Sequence, residues 1–204
     1  MPPRRPRAAV SVLALASCAA ALLTPAAASA HPHVWITVQS QLRFEHGMLS
    51  AVFMRWGFDP MFSDYIRNEV DKNHDRKFDE AETRALIDGA FTNLRQYGFF
   101  THLSADGQPV ELKDFRDFSA HMDKDALVYE FVLPLQHPLD PRQPIKLSIY
   151  DETYYIDVEF SAKSPVTFAG DGPPCAAKVA EDERTTIYFG MVNPLAATIT
   201  CHTS

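Results

Sequence analysis

The chain lacks the short motifs that mark common catalytic folds. It has no G-x-S-x-G turn for a serine nucleophile, no H-E-x-x-H pair for zinc hydrolysis and no glycine loop to cradle phosphate. No nucleophile has an obvious base near it in sequence, so the residues argue against an enzyme. Cysteine is nearly absent: three occur in 204 residues, none as C-x-x-C, which excludes a dithiol redox centre of that kind. Past the first two dozen residues no apolar run is long enough to span a bilayer. Internal repeats and low-complexity tracts are also missing. Positive charge is in deficit, with 19 Lys and Arg against 26 Asp and Glu and a formal net charge of −7. Such a chain is a poor partner for nucleic acid or anionic lipid, and is compatible with cations as ligands.

What is present begins with an export pattern. Arg4, Arg5 and Arg7 precede an apolar stretch from Ala8 to Leu23, and Ala28-Ser29-Ala30 supplies a small-residue cleavage site. Cleavage at Ala30/His31 predicts a periplasmic or secreted protein with no membrane insertion after processing. Leu15-Ala16-Ser17-Cys18 offers a competing lipoprotein box that would leave a lipidated Cys18 as the first residue. Removing 30 of 204 residues leaves 174, and loss of the three arginines takes the formal charge from −7 to −10. That length suits a single domain over 31–204. Cys175 and Cys201 remain, an even number in an oxidising compartment. A disulfide is the leading expectation and a buried or reactive thiol pair its alternative.

Along the mature chain, Val34 to Phe44 alternates apolar and polar residues, Glu45-His46-Gly47 supplies a turn, and Met48 to Trp56 returns as a second strand. Asp59-Pro60 then reads as a helix start. Phe62, Tyr65, Ile66 and Val70, followed by Ile87, Ala90, Phe91 and Leu94, carry helical spacing that ends near Gly98. Residues 59–97 therefore read as a helical hairpin inserted in a β protein. Strand patterns resume at Phe99–Leu103, Val110–Phe118, Leu127–Leu133, Ile145–Tyr150 and Tyr154–Phe160. Pro134, Pro138, Pro141 and Pro144 predict an irregular connection. The expected class is mainly β: an immunoglobulin-like antiparallel β-sandwich with an EF-hand-like helical hairpin inserted.

Two constellations carry metal chemistry. Asp71, Asn73, Asp75, Asp79 and Glu82 fall at positions 1, 3, 5, 9 and 12 of an EF-hand pattern, with Lys77 offering its carbonyl at position 7. Calcium takes six to eight hard oxygens, and a bidentate Glu at the end of a short loop completes that number. Arg76 stands where glycine is expected; forcing it to positive φ costs about 1–2 kcal/mol and predicts weak affinity, at about 10⁻⁴–10⁻³ M. A solvated acidic loop that binds nothing is the alternative. At the processed amino terminus, His31, Pro32 and His33 would gather an α-amine and two imidazoles, donors suited to zinc, nickel, cobalt or copper. Pro32 has no amide proton, so a chelate through the second residue's deprotonated amide cannot form. His46, His74, His102, His121, His137 and His202 are scattered and read as surface or capping residues. Tyr150-Asp151-Glu152-Thr153-Tyr154-Tyr155 reads as a turn rather than a catalytic cluster.

Several segments, taken in order, resemble one bacterial family. They are His31-Pro32-His33-Val34-Trp35-Ile36, Trp56-Gly57-Phe58-Asp59 with Phe62-Ser63, Asp71-Lys72-Asn73, Gln96-Tyr97-Gly98-Phe99-Phe100, Pro134-Leu135 with Leu139-Asp140-Pro141, and Tyr150 to Tyr155. The family is domain of unknown function 1007, and the likeness runs through nearly the whole mature chain. It has no established biochemical activity. The resemblance implies a periplasmic component of an uncharacterised ABC-type transport system, often found beside nickel/cobalt-type permeases, and hence an inner-membrane metal permease as partner.

Overall fold

Alternation at period two builds most of this molecule, whose computed structural model describes residues 33–202. The first hairpin joins β1 (Val34–Glu45) to β2 (Met48–Phe58), antiparallel, with Val38 opposite Trp56 and Leu42 opposite Val52. Val34, Ile36, Val38, Leu42 and Phe44 point inward and are buried. The turn uses His46 and Gly47 at φ 53° and 75°, the positive values that a two-residue hairpin loop demands.

Helix α1 (Pro60–Val70) starts where Asp59-Pro60 predicts. The Asp59 carboxylate accepts from the amides of Met61 and Phe62 at 2.9 and 3.0 Å, and from that of Trp35 on β1 at 3.1 Å. Helix α2 (Glu80–Gly89) follows the acidic loop. The expected second helix is shorter than its apolar spacing suggested. It stops at Gly89, and Phe91–Phe100 continues as a 3-10 segment broken near its end. Gly98, Phe99 and Phe100 are all left-handed there, with φ between 53° and 58°. Each phenylalanine in that conformation costs about 1–2 kcal/mol, against about 1.5–3 kcal/mol gained by burying its ring. Both rings are buried, so burial wins.

The remaining strands are β3 (Thr101–Ala105), β4 (Gln108–Val110), β5 (Arg116–Asp123), β6 (Ala126–Leu139), β7 (Ile145–Ile149), β8 (Ile156–Phe160), β9 (Val166–Gly170), β10 (Cys175–Glu181) and β11 (Leu195–Cys201). They form two antiparallel-rich sheets that share one hydrophobic core. One runs β5-β6-β2-β1-β8 with β9 also on β1; the other runs β10-β11-β7-β3-β4. The protein is therefore mainly β, and the described residues fall in one compact unit.

Four expectations change. The proposed strand Val110–Phe118 divides: β4 ends one sheet at Val110, β5 begins in the other at Arg116, and buried Leu112 anchors the crossing. β6 runs past Pro134 to Leu139 instead of stopping. The prolines are tolerated because the β2 register jumps from Ala51↔Pro134 to Leu49↔Leu139, which bulges out the intervening residues. Ile145–Ile149 and Ile156–Phe160 are not hairpin partners, because residues 150–155 carry the chain from one sheet to the other. Pairing is not antiparallel throughout either: β8 and β9 lie parallel to β1, a geometry that needs such crossovers. At the end of β9, a Cβ on Gly170 (φ 95°) would lie 2.0 Å from the Phe44 carbonyl oxygen, so this approach requires glycine.

Ser63 locks α1 to the sheet. Its hydroxyl is fully buried, donates to the Asp59 carbonyl at 2.6 Å and accepts from the Leu127 amide at 2.8 Å. Ser63→Ala strands that buried amide and should lower stability by about 1–3 kcal/mol in denaturant unfolding, with no change in the far-ultraviolet spectrum. Cys175 and Cys201 sit opposite each other on β10 and β11 and form the expected disulfide, with a sequence separation of 26. Replacing both with serine should cost about 3 kcal/mol in the same measurement.

Candidate functional site

The loop between α1 and α2 is built on its own carboxylates. Asp71 closes α1, and its side chain accepts from the amides of Asp75 at 3.2 Å and Arg76 at 2.9 Å. Asn73 accepts from the Asp75 amide at 2.9 Å, and Asp75 from the Lys77 amide at 2.8 Å. Asp79 caps α2 by accepting from the Glu82 amide at 2.8 Å. Glu82 in turn accepts from the amides of Asp79 at 3.0 Å and Lys72 at 2.8 Å. The capping box thus ties positions 9 and 12, while Glu82 also reaches back to the residue after position 1.

Asp71 and Glu82 are 1% and 7% exposed, and among the described residues neither makes an ion pair. Two buried carboxylates compensated only by backbone N–H groups leave oxygen lone pairs for a hard cation. Asn73, Asp75, Lys77 and Asp79 lie at the exposed rim. As the loop stands its side-chain oxygens accept from its own amides, and among the described residues no three His, Cys, Asp or Glu side chains converge on one point. Arg76 adopts the left-handed φ of 63° expected of its position, and His74 is left-handed as well, at 58°. What spacing did not show is the reason for arginine. Its guanidinium donates to the Lys124 carbonyl at 2.8 Å and to Asp125 at 3.0 Å, tethering the loop to the β5–β6 turn.

His31 lies outside the described residues. His33 is exposed, its ring stacks on Tyr155 at 4.8 Å, and its amide donates to the Tyr155 carbonyl at 2.9 Å. Strand β1 begins one residue later, so strand alternation does not orient His33. His46, His74, His137 and His202 are exposed as expected.

A second region escaped the reading of motifs. A cavity of about 530 Å³ lies between the 3-10 segment, β3, the chain after β4 and the crossover at 150–153. His102 and Tyr150 form its floor, stacked with ring centroids 3.7 Å apart and an angle of 3°. The His102 Nε2 lies 3.3 Å from the Tyr150 carbonyl oxygen; a carbonyl only accepts, so Nε2 carries the proton. Burial lowers the His102 pKa from its ordinary value of 6.5, opposed by that hydrogen bond and by the charge of Glu152. Burial raises the Tyr150 pKa, with Glu152 and Asp182 adding to the effect. Asp151 is buried but not free. It accepts from the Thr153 amide and hydroxyl and from the amides of Tyr155 and Ile156, at 2.8 to 3.2 Å. The acidic-aromatic segment is therefore a structural corner, and its aspartate is not a spare acid. The available signal for the cavity was the polar, aromatic character of His102 and Tyr150, but nothing in the sequence paired them.

A histidine whose pKa falls on folding binds fewer protons in the native than in the unfolded state. Its contribution to stability is intact above pH 6.5 and is lost as pH falls from there toward the native pKa. In a proton NMR titration the His102 ring should turn over below pH 6.5, and His102→Asn should flatten the fall in melting temperature between pH 7 and 5.5.

With this geometry described, comparison with known proteins places the chain in a family. The description "Protein of unknown function (DUF1007)" matches residues 16–198, and the chain belongs to that family. It is 31% identical over 131 residues to an uncharacterised 15.5 kDa protein in the trpE 3' region of Spirochaeta aurantia, covering 64% of this chain and 94% of that protein. It is 27% identical over 166 residues to an uncharacterised protein of Haemophilus influenzae, covering 78% of each.

Proposed function

We propose that this is an exported metal-binding accessory protein: an immunoglobulin-like β-sandwich whose EF-hand-like insert is stiffened by calcium, working beside a transition-metal permease of the inner membrane. The observation that supports the calcium reading is the pair of buried carboxylates, Asp71 and Glu82, at the first and last positions of the loop, neither of them in an ion pair among the described residues. Their oxygens, with Asn73, Asp75, the Lys77 carbonyl and Asp79, form a donor set suited to a hard divalent ion. To hold it, the rim side chains would exchange their amide partners for the ion. Arg76 anchors one side of the loop to the sheet, so the ion would couple the helical insert to the body. One such loop suits a structural ion better than a switch.

The transport half of the proposal rests on the family likeness, the export pattern and the acidic charge. His31, with its freed α-amine, and His33 would take zinc, nickel, cobalt or copper. A second reading, a calcium-stabilised protein-interaction module without a transition-metal site, is favoured by two observations. His33 is already engaged with Tyr155, and Phe189 and Met191 are 93% and 66% exposed on a loop tip.

Calcium at about a hundredfold above its Kd should stabilise the processed protein by about 2.7 kcal/mol, raising its melting temperature by about 5–10 °C. Asp71→Asn and Glu82→Gln should each abolish that rise. An unchanged melting temperature in saturating calcium overturns the calcium site. Titration with Zn²⁺, Ni²⁺, Co²⁺ and Cu²⁺ decides between the two readings. Binding lost on blocking the amino terminus or in His31→Ala supports the accessory role, and equal binding by blocked and free protein removes it.

A further inference from the structure

The cavity of about 530 Å³ beside the 3-10 segment is lined neither by the acidic loop nor by His33, yet it has the features of a built site. Four of its lining residues, Tyr97, Phe100, His102 and Tyr150, carry aromatic rings. Tyr97, 58% exposed, lies nearly parallel to Phe100, at 6.1 Å and 19°, and the His102–Tyr150 stack forms the floor. Its backbone is strained. Gly98, Phe99 and Phe100 are consecutive left-handed residues, and this turn is what delivers Tyr97 and Phe100 to the same wall. Strain of this kind concentrates at ligand sites because only a well-determined surrounding can hold it.

The charges of the lining choose among ligands. Arg95 is turned to Asp114 at 2.9 Å, and Lys113 is paired with Glu111. Asp151 is saturated by its own corner. Glu152 is exposed and, among the described residues, pairs with no cation, and its field reaches both floor rings. Burial disfavours a positive charge on His102. What remains, among aromatic rings, is one exposed carboxylate without a cation partner among the described residues. Aromatic faces attract cations through the ring quadrupole, and a nearby carboxylate adds to that attraction.

We propose that this cavity binds an organic ammonium group. The ring faces would hold the alkyl shell and Glu152 would neutralise the charge. Metal ions fit less well, because the floor offers a single imidazole lone pair and the ring faces offer none. The same chemistry has two sources, a free small amine or a lysine side chain on a polypeptide.

Amide NMR and calorimetric titration of the processed protein can use three probes: choline, its neutral isostere with carbon in place of nitrogen, and a blocked Gly-Lys-Gly tripeptide. The cationic probes should shift resonances of residues 97–102 and 150–153, and the neutral isostere should bind about tenfold more weakly. Glu152→Gln, at an exposed position, should weaken cation binding about tenfold, and Tyr97→Leu, which keeps apolar bulk but removes the ring face, should do the same. Tighter binding of choline assigns the site to free amines, and tighter binding of the tripeptide assigns it to lysine-bearing chains. Equal affinity for choline and its neutral isostere overturns the proposal. So does unchanged affinity in Glu152→Gln, or the absence of shifts at the cavity with both cationic probes.

Discussion

Trp56 holds the two halves of this architecture together. It is 1% exposed on β2, and its indole meets Phe58, Phe91, Phe100 and Phe131 at centroid distances of 4.9 to 6.4 Å. Phe91 extends the cluster to Phe99, Phe115, Phe118 and Tyr129. These rings come from β2, β5 and the residue before it, β6 and the 3-10 segment, so one apolar cluster docks the helical insert against the sheet. The cost is visible: among the described residues the buried Trp56 indole N–H has no hydrogen-bond partner, worth about 1–3 kcal/mol. Several buried rings, each contributing about 1.5–3 kcal/mol, outweigh it.

Everything chemically interesting hangs from that docking. Phe91 and Phe99–Phe100 fix the 3-10 segment that follows α2, while Ser63 and Asp59 fix the start of α1. The acidic loop is thus suspended between two anchored helices, with Arg76 as a third tie to the β5–β6 turn. A carboxylate pair buried without a counter-ion is normally costly. Here backbone amides supply the compensation, so the loop holds its shape while keeping a negative surface. The same 3-10 segment presents Tyr97 to the cavity. Packing of the aromatic cluster therefore places both the acidic loop and the cavity wall, although the two carry different chemistry.

Much of this was legible in the residues. Asp59-Pro60 marked a helix start because a carboxylate can cap free amides and proline forfeits no helical bond there. Alternation marked β1 and β2 because side chains on a strand change face at every step. The left-handed position of Arg76 followed from its place in the loop pattern. Other elements misled for equally local reasons. Phe91 and Leu94 keep helical spacing, but Gly89 ends the helix and buried rings pull the chain into 3-10 turns. The prolines of β6 read as a break because their neighbours' register, which lets them bulge, is not written locally.

By itself the sequence determined which segments extend, which coil, where the acidic loop lies and that Cys175 and Cys201 are available to pair. These depend on neighbours a few residues apart and on composition. Only the tertiary structure decided that β8 and β9 run parallel to β1, that residues 150–155 cross between sheets, and that Arg76 reaches Asp125. It alone stacked His102 on Tyr150 in a cavity that Tyr97 also lines. Period-two alternation tells a residue which face it occupies, but not which strand lies beside it. Partners about 50 residues apart are selected by burial of the whole core, a collective choice that no local pattern encodes.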